Sequence, residues 1–352
     1  MPSLSSTAPL GRSGLEATPL GFGAATQGGL FEAVSEESAR AVFQAAWNAG
    51  IRHFDTAPWY GYGQSEARLG AFLKDKSGYT LSSKVGRLLL EGIPPHPSQL
   101  EQDGSRAFKN DSPLNVVYDY SYTGVMRSFE ASLERLGLGC LDVLYLHDPD
   151  VVGASVKEVL EGAGKALAEL RDQGLVKAIG AGMNQWEFLL ELAQDGRFDA
   201  FLLAGRYTLL EQTSLPLMDY CSQHAISVVI GGVYNSGLLA NPQVGAHDNY
   251  VPVSHERLKR ALALQAVCER HGVPLKAAAL QFPLFQPAVS SVLTAARSVK
   301  QIENNVEMFE LLLPLELWND LKREGLLEDR VPTSQERARK HQAGEPMTQD
   351  TA

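Results

Sequence analysis

The chain has 352 residues, of which 44% are hydrophobic, a composition that can fill one large core or two ordinary ones. Its formal net charge of −10 at pH 7 argues against nucleic acid or an anionic membrane surface as a partner. No apolar run approaches the length of a membrane span, and residues 1–14 lack the apolar segment of a signal peptide.

Strand and helix patterns alternate along the chain. Residues 20–23 predict a short strand, after which Ser35 caps a helix that ends at Gly50. The later strands are predicted at residues 51–55, 79–85, 141–146, 178–180, 200–203, 227–230 and 290–293. The later helices are predicted at residues 65–73, 122–136, 155–173, 185–194, 214–224, 254–270 and 299–308, with a further short helix after Pro274.

Neither a change in composition nor a Pro- or Ser-rich linker divides this alternation. Strands that alternate with helices form a parallel sheet with crossover helices. Eight uninterrupted units favour a closed (β/α)8 TIM barrel, an α/β fold, over an open, doubly wound sheet. We expect one barrel domain over residues 1–330 and a polar C-terminal tail over residues 331–352.

The alternation pauses at residues 86–121, which contain several prolines and scattered charges. We predict a long loop here, and long loops in compact domains are usually functional or disordered. Since it leaves from the C-terminal end of a predicted strand, we expect it to be a lid over the substrate.

The three cysteines, Cys140, Cys221 and Cys268, lie far apart in apolar surroundings. Their spacing is neither that of a disulfide framework nor that of a zinc site. We expect three core thiols and a protein of the reducing cytoplasm.

The segment from residue 51 to residue 63 places Asp55 at the end of a predicted strand. Pro58 then forces the chain to turn, and Gly61 permits the dihedral angles of a tight loop that carries Tyr60. By themselves, Asp55 and Tyr60 are equally well explained as a buried turn cap and a core aromatic.

Lys84 and His147 change this balance, because each also lies at the end of a predicted strand. In a barrel, the C-terminal ends of the strands meet at one mouth, which is where such enzymes place their catalytic groups. Four polar groups that converge there are hard to explain as core filling.

Tyrosine, lysine, aspartate and histidine together suit reversible hydride transfer at a carbonyl. A lysine ammonium about 4 Å from a tyrosine hydroxyl is worth about 4 kcal/mol at an effective dielectric constant of about 20, which could lower the tyrosine pKa by up to about three units. An aspartate returns part of this effect and holds the lysine charged. The three groups predict a general acid–base tuned toward neutral pH, and a histidine beside them can polarise a substrate oxygen.

With these residues, the chain resembles the aldo-keto reductase family. The resemblance is carried by FDTA at residues 54–57 followed by Tyr60-Gly61, by SSKVG at residues 82–86 and by LYLH at residues 144–147, and it covers nearly the whole chain. It implies a (β/α)8 barrel with a nicotinamide cofactor extended across the mouth. It also implies Tyr60 as proton donor or acceptor, supported by Lys84 and Asp55, with the substrate held by Trp59, Tyr60 and His147.

The resemblance implies cofactor contacts as well. They fall on Gly23, Ala24, Asp55, Asn184, Gly231, Gly232, Tyr234, Ser236, Leu238, Arg297, Gln301 and Asn305.

Three positions depart from the family's cofactor pattern. Met183 stands where serine is common, and Ala204 stands where a glutamine often helps to hold the carboxamide. Gly231 replaces the aromatic ring that usually stacks on the nicotinamide, which leaves Tyr234 or Arg206 as candidates for stacking.

The segment after the eighth predicted strand favours NAD over NADP. Family members that use NADP hold its 2′-phosphate with a lysine–serine pair and an arginine, and this chain has Ala295, Ala296 and Gln301 at those positions. A phosphate needs charge-assisted hydrogen bonds, which the alanines cannot supply. Arg297 lies next to the pair and keeps NADP possible.

Within the family, the chain is most like the sugar dehydrogenases that act on D-threo-aldoses, L-fucose and L-galactose, with pyridoxal 4-dehydrogenase close by. We therefore expect oxidation of the anomeric hydroxyl of an aldose to the lactone by a monomer or small homo-oligomer. The alternatives are a pyridoxal 4-dehydrogenase or an NADPH-dependent aldehyde or ketone reductase on the same site. A non-catalytic regulatory subunit on this barrel is an alternative of a different class, and the complete set of four polar residues argues against it.

A metal hydrolase is a further alternative, because His53 and Asp55 share one strand and His147 precedes Asp148. Such a site needs further ligands on other strands, and the remaining histidines lie in predicted loops or helices, so we expect no metal. The Gly-x-Gly fragments at residues 21–23, 61–63 and 180–182 lack the third glycine of a dinucleotide fingerprint, so a Rossmann domain is not expected.

Overall fold

The computed structural model describes residues 3–101, 103–249 and 251–333. Eight parallel strands close into a barrel in which each strand pairs with its neighbours in chain order. The strands are β1 Leu20–Gly23, β2 His53–Asp55, β3 Thr80–Val85, β4 Leu141–His147, β5 Val176–Met183, β6 Ala200–Ala204, β7 Ser227–Gly231 and β8 Val289–Thr294. The predicted (β/α)8 barrel is confirmed.

Helices surround this barrel, and several begin at a serine whose hydroxyl accepts a backbone N–H of the first turn. Ser35, the predicted cap, accepts from the N–H of Ser38 in this way. The helices are α1 Glu36–Asn48, α2 Gln64–Leu73, α3 Tyr122–Leu136, α4 Val156–Glu161, α5 Ala163–Asp172, α6 Trp186–Gln194, α7 Leu215–Gln223, α8 His255–Arg270, α9 Leu275–Gln281, α10 Val299–Glu310 and α11 Leu315–Arg323.

The helix predicted at residues 155–173 is wrong in one respect, because it is divided into α4 and α5 at Gly162. A Cβ atom at Gly162 would lie 2.9 Å from the carbonyl oxygen of Tyr120. The close approach of two backbone segments interrupts the helix, and helical periodicity does not report it. Helix α11 lies beyond the eight predicted units and buries Trp318.

The amino-terminal end of the barrel is covered by an antiparallel pair, Ala8–Pro9 with Glu16–Ala17. The turn between them buries Leu10 in the cluster that fills the barrel interior. The Ser227 hydroxyl at the start of β7 accepts a hydrogen bond from the Gly11 N–H. This floor leaves the opposite end, where the strands finish, for a ligand.

The barrel interior contains a buried polar pair in which His53 Nδ1 lies 2.9 Å from Ser291 Oγ. Gly21 faces this pair, and a Cβ atom there would lie 2.6 Å from Leu293 Cδ2 and 3.1 Å from His53 Nδ1. Only glycine fits beside the imidazole without displacing it. Burial lowers the pKa of His53 to about 4.

The predicted long loop is wrong in part, because residues 86–121 contain an antiparallel hairpin. Strand Arg87–Glu91 pairs with Leu114–Tyr118, and Phe108 in the tip forms an isolated bridge with Leu30. The prolines lie between the two strands, in the tip. Prolines interrupt a ladder only where they occur, so the segment as a whole still forms a short sheet above the barrel mouth.

The prediction of three core thiols is correct for Cys221 and Cys268, which are buried, and wrong for Cys140, which is exposed. Cys140 lies in the turn that connects α3 to β4. Apolar neighbours in sequence do not bury a turn residue, because the turn itself runs over the surface.

The packed chain extends past the predicted boundary at residue 330, since Val331 is fully buried and Thr333 is nearly so. Residues 334–352, the rest of the predicted tail, lie outside the described residues. Within the described ranges, no helix is both long enough and apolar enough to span a membrane.

We expect His53 to make the stability of the fold depend on pH. The folded-state pKa of about 4 lies below the unfolded value of 6.5, so the stabilisation is complete above pH 6.5 and is lost as the pH falls toward 4. Between pH 7.5 and pH 5, this group should lose about 2 kcal/mol of unfolding free energy. Denaturant unfolding of the wild type and of His53→Gln at both pH values measures the difference. An equal pH dependence in the two proteins would contradict a buried neutral histidine.

Candidate active site

A buried ion pair lies at the C-terminal ends of β2 and β3. Lys84 Nζ lies 2.6 Å from Asp55 Oδ2, and both side chains are almost fully enclosed. The ammonium also donates to the Thr56 carbonyl at 2.9 Å, and the Ser82 hydroxyl donates to Asp55 Oδ1 at 2.7 Å. Burial lowers the pKa of Lys84, but Asp55 and Tyr60 raise it by more, so the pKa is raised and the lysine stays charged.

The loop after β2 brings Tyr60 to this pair. Its N–H donates to the Ala57 carbonyl, and Gly61, at φ +66°, turns the chain where a Cβ atom would lie 2.4 Å from the Gly28 carbonyl oxygen. Lys84 Nζ lies 4.6 Å from the centroid of the Tyr60 ring. The tight turn therefore fixes the tyrosine over the lysine.

The predicted tuning of Tyr60 toward neutral pH is wrong for this structure, because the pKa of Tyr60 is raised. Burial raises it most, Lys84 lowers it and Asp55 raises it again. Coulomb attraction between two partners does not include the cost of placing the phenolate in an enclosed site, and this cost exceeds the contribution of the lysine.

His147 ends β4, and its ring faces the Tyr60 ring. The two ring centroids lie 5.7 Å apart, with the rings perpendicular. Burial, together with the charges of Arg87 and Lys84, holds the pKa of His147 well below its usual value. A neutral imidazole in this position can donate a hydrogen bond to a substrate oxygen.

An aromatic wall encloses the space beside these groups. The Trp59 ring meets Phe108 of the hairpin tip at 5.3 Å in an edge-to-face arrangement and lies 6.1 Å from the His147 ring. Phe108 also lies 5.9 Å from the Tyr60 ring, and Asn110 donates to the Gly61 carbonyl at 2.8 Å. The hairpin tip is thus part of the wall of the site.

The structure brings together all four residues predicted to do chemistry, on β2, β3, β4 and the loop after β2. A model of the aldo/keto reductase family matches residues 19–323. The chain belongs to the aldo/keto reductase family.

Three relatives are similar to this chain over most of its length. The chain is 42% identical over 336 residues to a pyridoxal 4-dehydrogenase from Microbacterium luteolum and 40% identical over 324 residues to a D-threo-aldose 1-dehydrogenase from a Pseudomonas species; each alignment covers 90% of this chain and 97% of the relative. It is 30% identical over 304 residues to an L-galactose dehydrogenase from Arabidopsis thaliana, which covers 84% of this chain and 86% of the relative. The protein is therefore an oxidoreductase of the aldo/keto reductase family, whose members use nicotinamide cofactors.

A solved structure shows the same fold. An aldo-keto reductase from Bacillus halodurans, in its holo form, superimposes with a TM-score of 0.71 at 22% identity and covers 94% of this chain and 99% of that chain.

The residues at the ends of β5 and β7 fit the nicotinamide that aldo/keto reductases use. Asn184 donates its amide N–H to the Ala204 carbonyl at 2.8 Å, which leaves its amide oxygen to accept a carboxamide N–H. Gly231 ends β7, and Gly182 is the next-to-last residue of β5. A Cβ atom at Gly182 would lie 3.6 Å from Lys84 Cε, so this backbone lies directly beside the lysine.

The loop after β7 contains four of the residues for which the resemblance implies cofactor contacts, Gly232, Tyr234, Ser236 and Leu238. Gly232, Asn235, Ser236 and Gly237 all have positive φ. The Asn235 amide is buried, and neither its oxygen nor its nitrogen has a partner among the described residues. Orphaned polar atoms of this kind fit a polar ligand at the loop.

Two of the residues predicted to contact the cofactor, Leu238 and Tyr234, already contact other parts of the protein. Leu238 is fully buried, and its N–H already donates to the Asn235 carbonyl. The Tyr234 ring packs in the core between barrel and helices, with Lys276 of α9 5.4 Å from its centroid. Arg206 lies 3.6 Å from Glu211 in an ion pair. Stacking by Tyr234 or Arg206 stays a prediction.

The segment after β8 closes on itself and on the loop after β1. The Arg297 N–H donates to Gln301 Oε1 at 2.6 Å, and its guanidinium donates to the Leu30 carbonyl at 2.9 Å. Asn305 is buried and lies 3.4 Å from the Ala295 carbonyl. Gly23 and Ala24 lie at the end of β1, where the Ala24 carbonyl accepts from Ser65. The cofactor roles of these residues stay predictions.

Sequence reasoning missed two charged neighbours of the site. Arg87 and Asp148 form an ion pair of 2.6 Å, and Asp148 lies beside His147. Their positions in the sequence could have indicated this pair, since Arg87 comes three residues after Lys84 and Asp148 directly follows His147. Across the described ranges, no group of three His, Cys, Asp or Glu side chains could hold a metal ion.

We expect Phe108 to act as the lid residue of the substrate site. Phe108→Ala removes three aromatic contacts, to Trp59, Tyr60 and Tyr62, worth about 0.5–1.5 kcal/mol each, so KM for the substrate should rise at least about tenfold while the cofactor dissociation constant stays near normal. Leu90→Ala, on the outward side of the same hairpin, is the matched control. Steady-state kinetics and cofactor titration measure both constants. An unchanged substrate KM in Phe108→Ala would contradict the role of a lid.

Proposed function

We propose that this protein is a dehydrogenase that oxidises the anomeric hydroxyl of an aldose to the lactone, with Tyr60 as the acid–base. The observation that carries the proposal is the buried Lys84–Asp55 pair beneath Tyr60, with His147 across from it. The similarity to a D-threo-aldose 1-dehydrogenase supports the sugar substrate.

The residues divide the work as follows. Asn184 and the backbone at Gly231 would hold a nicotinamide, which would supply the hydride acceptor for the anomeric carbon. Tyr60 takes the proton from the hydroxyl on the anomeric carbon. The single bond between that carbon and the hydroxyl oxygen becomes the double bond of the lactone carbonyl. Lys84 stabilises the tyrosine when it lacks its proton, Asp55 holds Lys84 charged, and His147 donates a hydrogen bond to the reacting oxygen.

The raised pKa of Tyr60 means that the tyrosine keeps its proton at neutral pH. The enclosed phenolate is costly, so it takes up a proton readily once a hydroxyl offers one. A positively charged oxidised nicotinamide would lower the pKa of Tyr60 by the same Coulomb attraction that Lys84 exerts.

Pyridoxal is a second candidate substrate, favoured by the aromatic wall of Trp59 and Phe108 and by the 42% identical relative. Pyridoxal closes to a cyclic hemiacetal through its own hydroxymethyl group, as an aldose does through a chain hydroxyl. Both substrates therefore present one carbon that carries a hydroxyl and a hydride, and both give a lactone. The chemistry assigned to Tyr60 is the same for either.

The cofactor that we propose is NAD. Ala295 and Ala296 offer no cation or hydroxyl for a 2′-phosphate, and the Arg297 guanidinium already donates to Leu30. Turning Arg297 toward a phosphate would leave the Leu30 carbonyl without this partner.

Tyr60→Phe should lower kcat by about 10²-fold or more, the scale of general acid–base catalysis, with cofactor affinity near normal. Tyr62→Phe is the matched control, because Tyr62 lies in the same loop and its hydroxyl is buried without a partner among the described residues. Unchanged turnover in Tyr60→Phe would exclude Tyr60 as the acid–base.

Incubation with aldoses and with pyridoxal, each with NAD and with NADP, tests the function itself. We expect reduced cofactor and an equimolar lactone, identified by NMR, from at least one aldose such as L-fucose. Lactone from pyridoxal alone would select the second candidate. An alditol formed from an aldose and NADPH at neutral pH would refute both in favour of a reductase.

With the best substrate, kcat/KM for NAD should exceed that for NADP by at least about tenfold, the factor that about 1.4 kcal/mol supplies. Arg297→Gln should leave both values nearly unchanged, since the guanidinium is held at Leu30. Equal efficiency with the two cofactors, combined with a loss of NADP activity in Arg297→Gln, would show that Arg297 binds the phosphate.

A further inference from the structure

Arg87 is a buried cation above the barrel mouth. Only 2% of its side chain is exposed, and its single ion-pair partner among the described residues is Asp148. Its guanidinium carbon lies 4.4 Å from the centroid of the Trp59 ring and 5.2 Å from that of Tyr118. The charge is thus held between two aromatic rings and directed at one carboxylate.

Asp148 faces two donors with one oxygen. Its Oδ2 lies 2.6 Å from Arg87 Nη2 and 3.5 Å from His147 Nε2. His147 Nδ1 is buried and has no partner among the described residues, so a neutral ring with its hydrogen on Nε2 leaves no buried N–H without an acceptor at Nδ1. Whether Nε2 serves the substrate or Asp148 depends on how fully Arg87 occupies that oxygen.

The backbone at this junction is held in a conformation that residues other than glycine rarely adopt. Asp148 has φ +47°, its N–H donates to the Gly182 carbonyl, and the Tyr120 hydroxyl donates to the carbonyls of His147 and Asp148. Strained residues persist where the surroundings over-determine them, often at functional sites. The carboxylate is directed at Arg87 by this turn.

We infer that Arg87 is a positioning residue, which through its ion pair with Asp148 keeps the His147 imidazole neutral and leaves its Nε2–H free to donate to the reacting oxygen. Arg87 holds Asp148 Oδ2 at 2.6 Å, and this short contact keeps that oxygen at 3.5 Å from His147 Nε2. This inference rests on the proposed role of His147 and adds two residues to the four already assigned.

The charged and titratable groups around His147 determine how its protonation would change without Arg87. Lys84 on β3 and Arg87 in the hairpin act on it as charges, and the Tyr60 ring faces it from the loop after β2. Asp148 follows it in the chain, and Asp150 adds a second carboxylate beside Asp148. Without Arg87, Asp148 loses its cation while burial still disfavours its charge. The Asp148–His147 pair must then take up a proton at a higher pH than in the wild type.

Three variants separate charge from packing. Arg87→Met should lower kcat about tenfold or more through misplacement of His147 and add an acid limb to the pH profile of kcat/KM between about pH 5.5 and 7.5. Arg87→Lys retains the charge and should keep the wild-type profile. Arg87→Met/Asp148→Asn removes both charges and should lose the acid limb and recover part of kcat.

A purely structural role for Arg87 predicts different results. The pH profile of Arg87→Met would then match the wild type, and the double variant would be no better than the single one; either result would overturn the inference. An acid limb in Arg87→Lys would also overturn it, because the charge would then not be the operative property.

A measurement on the wild type does not depend on the substrate and needs a variant only to assign one signal. The chain has eight histidines, so ¹⁵N-histidine NMR can follow each ring, with the His147 signal assigned from His147→Gln. We expect His147 to remain neutral from pH 8 to pH 5.5. Titration of this ring above about pH 6 would overturn the inference even if lactone formation were confirmed.

Discussion

The site depends on keeping a lysine ammonium charged inside a closed barrel. An unpaired charge there would cost several kcal/mol, and removal of one partner of such a pair is far more harmful than replacement of both. Asp55 meets this requirement at 2.6 Å, and Ser82 and the Thr56 carbonyl satisfy the remaining polar atoms of the pair. The pair is therefore a constraint on the fold as well as a part of the proposed chemistry.

The barrel supplies this constraint through the register of its strands. Asp55 pairs with Ser82 across β2 and β3, which places the carboxylate beside the hydroxyl that orients it and near Lys84, two residues farther along. The floor of the barrel is closed by the N-terminal antiparallel pair, so ligands have access only at the end where these groups lie. A register shift of one residue would turn Lys84 out of the barrel.

The loops above the strands determine what the pair can do. Tyr60 reaches Lys84 only because its loop turns at Gly61 against Gly28, where no side chain would fit. Trp59 and Phe108 enclose the mouth, and the enclosure that would exclude water from a substrate is the same enclosure that raises the pKa of Tyr60. The enclosure therefore makes the Tyr60 hydroxyl harder to ionise, and the same enclosure keeps water away from its proton.

The amino-acid sequence by itself determined the barrel and the four polar residues at its mouth. Both are periodic or local signals: alternation of strands and helices, a serine cap at Ser35, and polar residues at strand ends. Tertiary structure alone decided three matters that depend on contacts between distant segments. Tyr120 divides a helix at Gly162, burial reverses the expected pKa shift of Tyr60, and Arg87 meets Asp148 across 61 positions of sequence. A one-dimensional pattern reports which residues share a face, but desolvation and ion pairing depend on what the rest of the chain brings to that face.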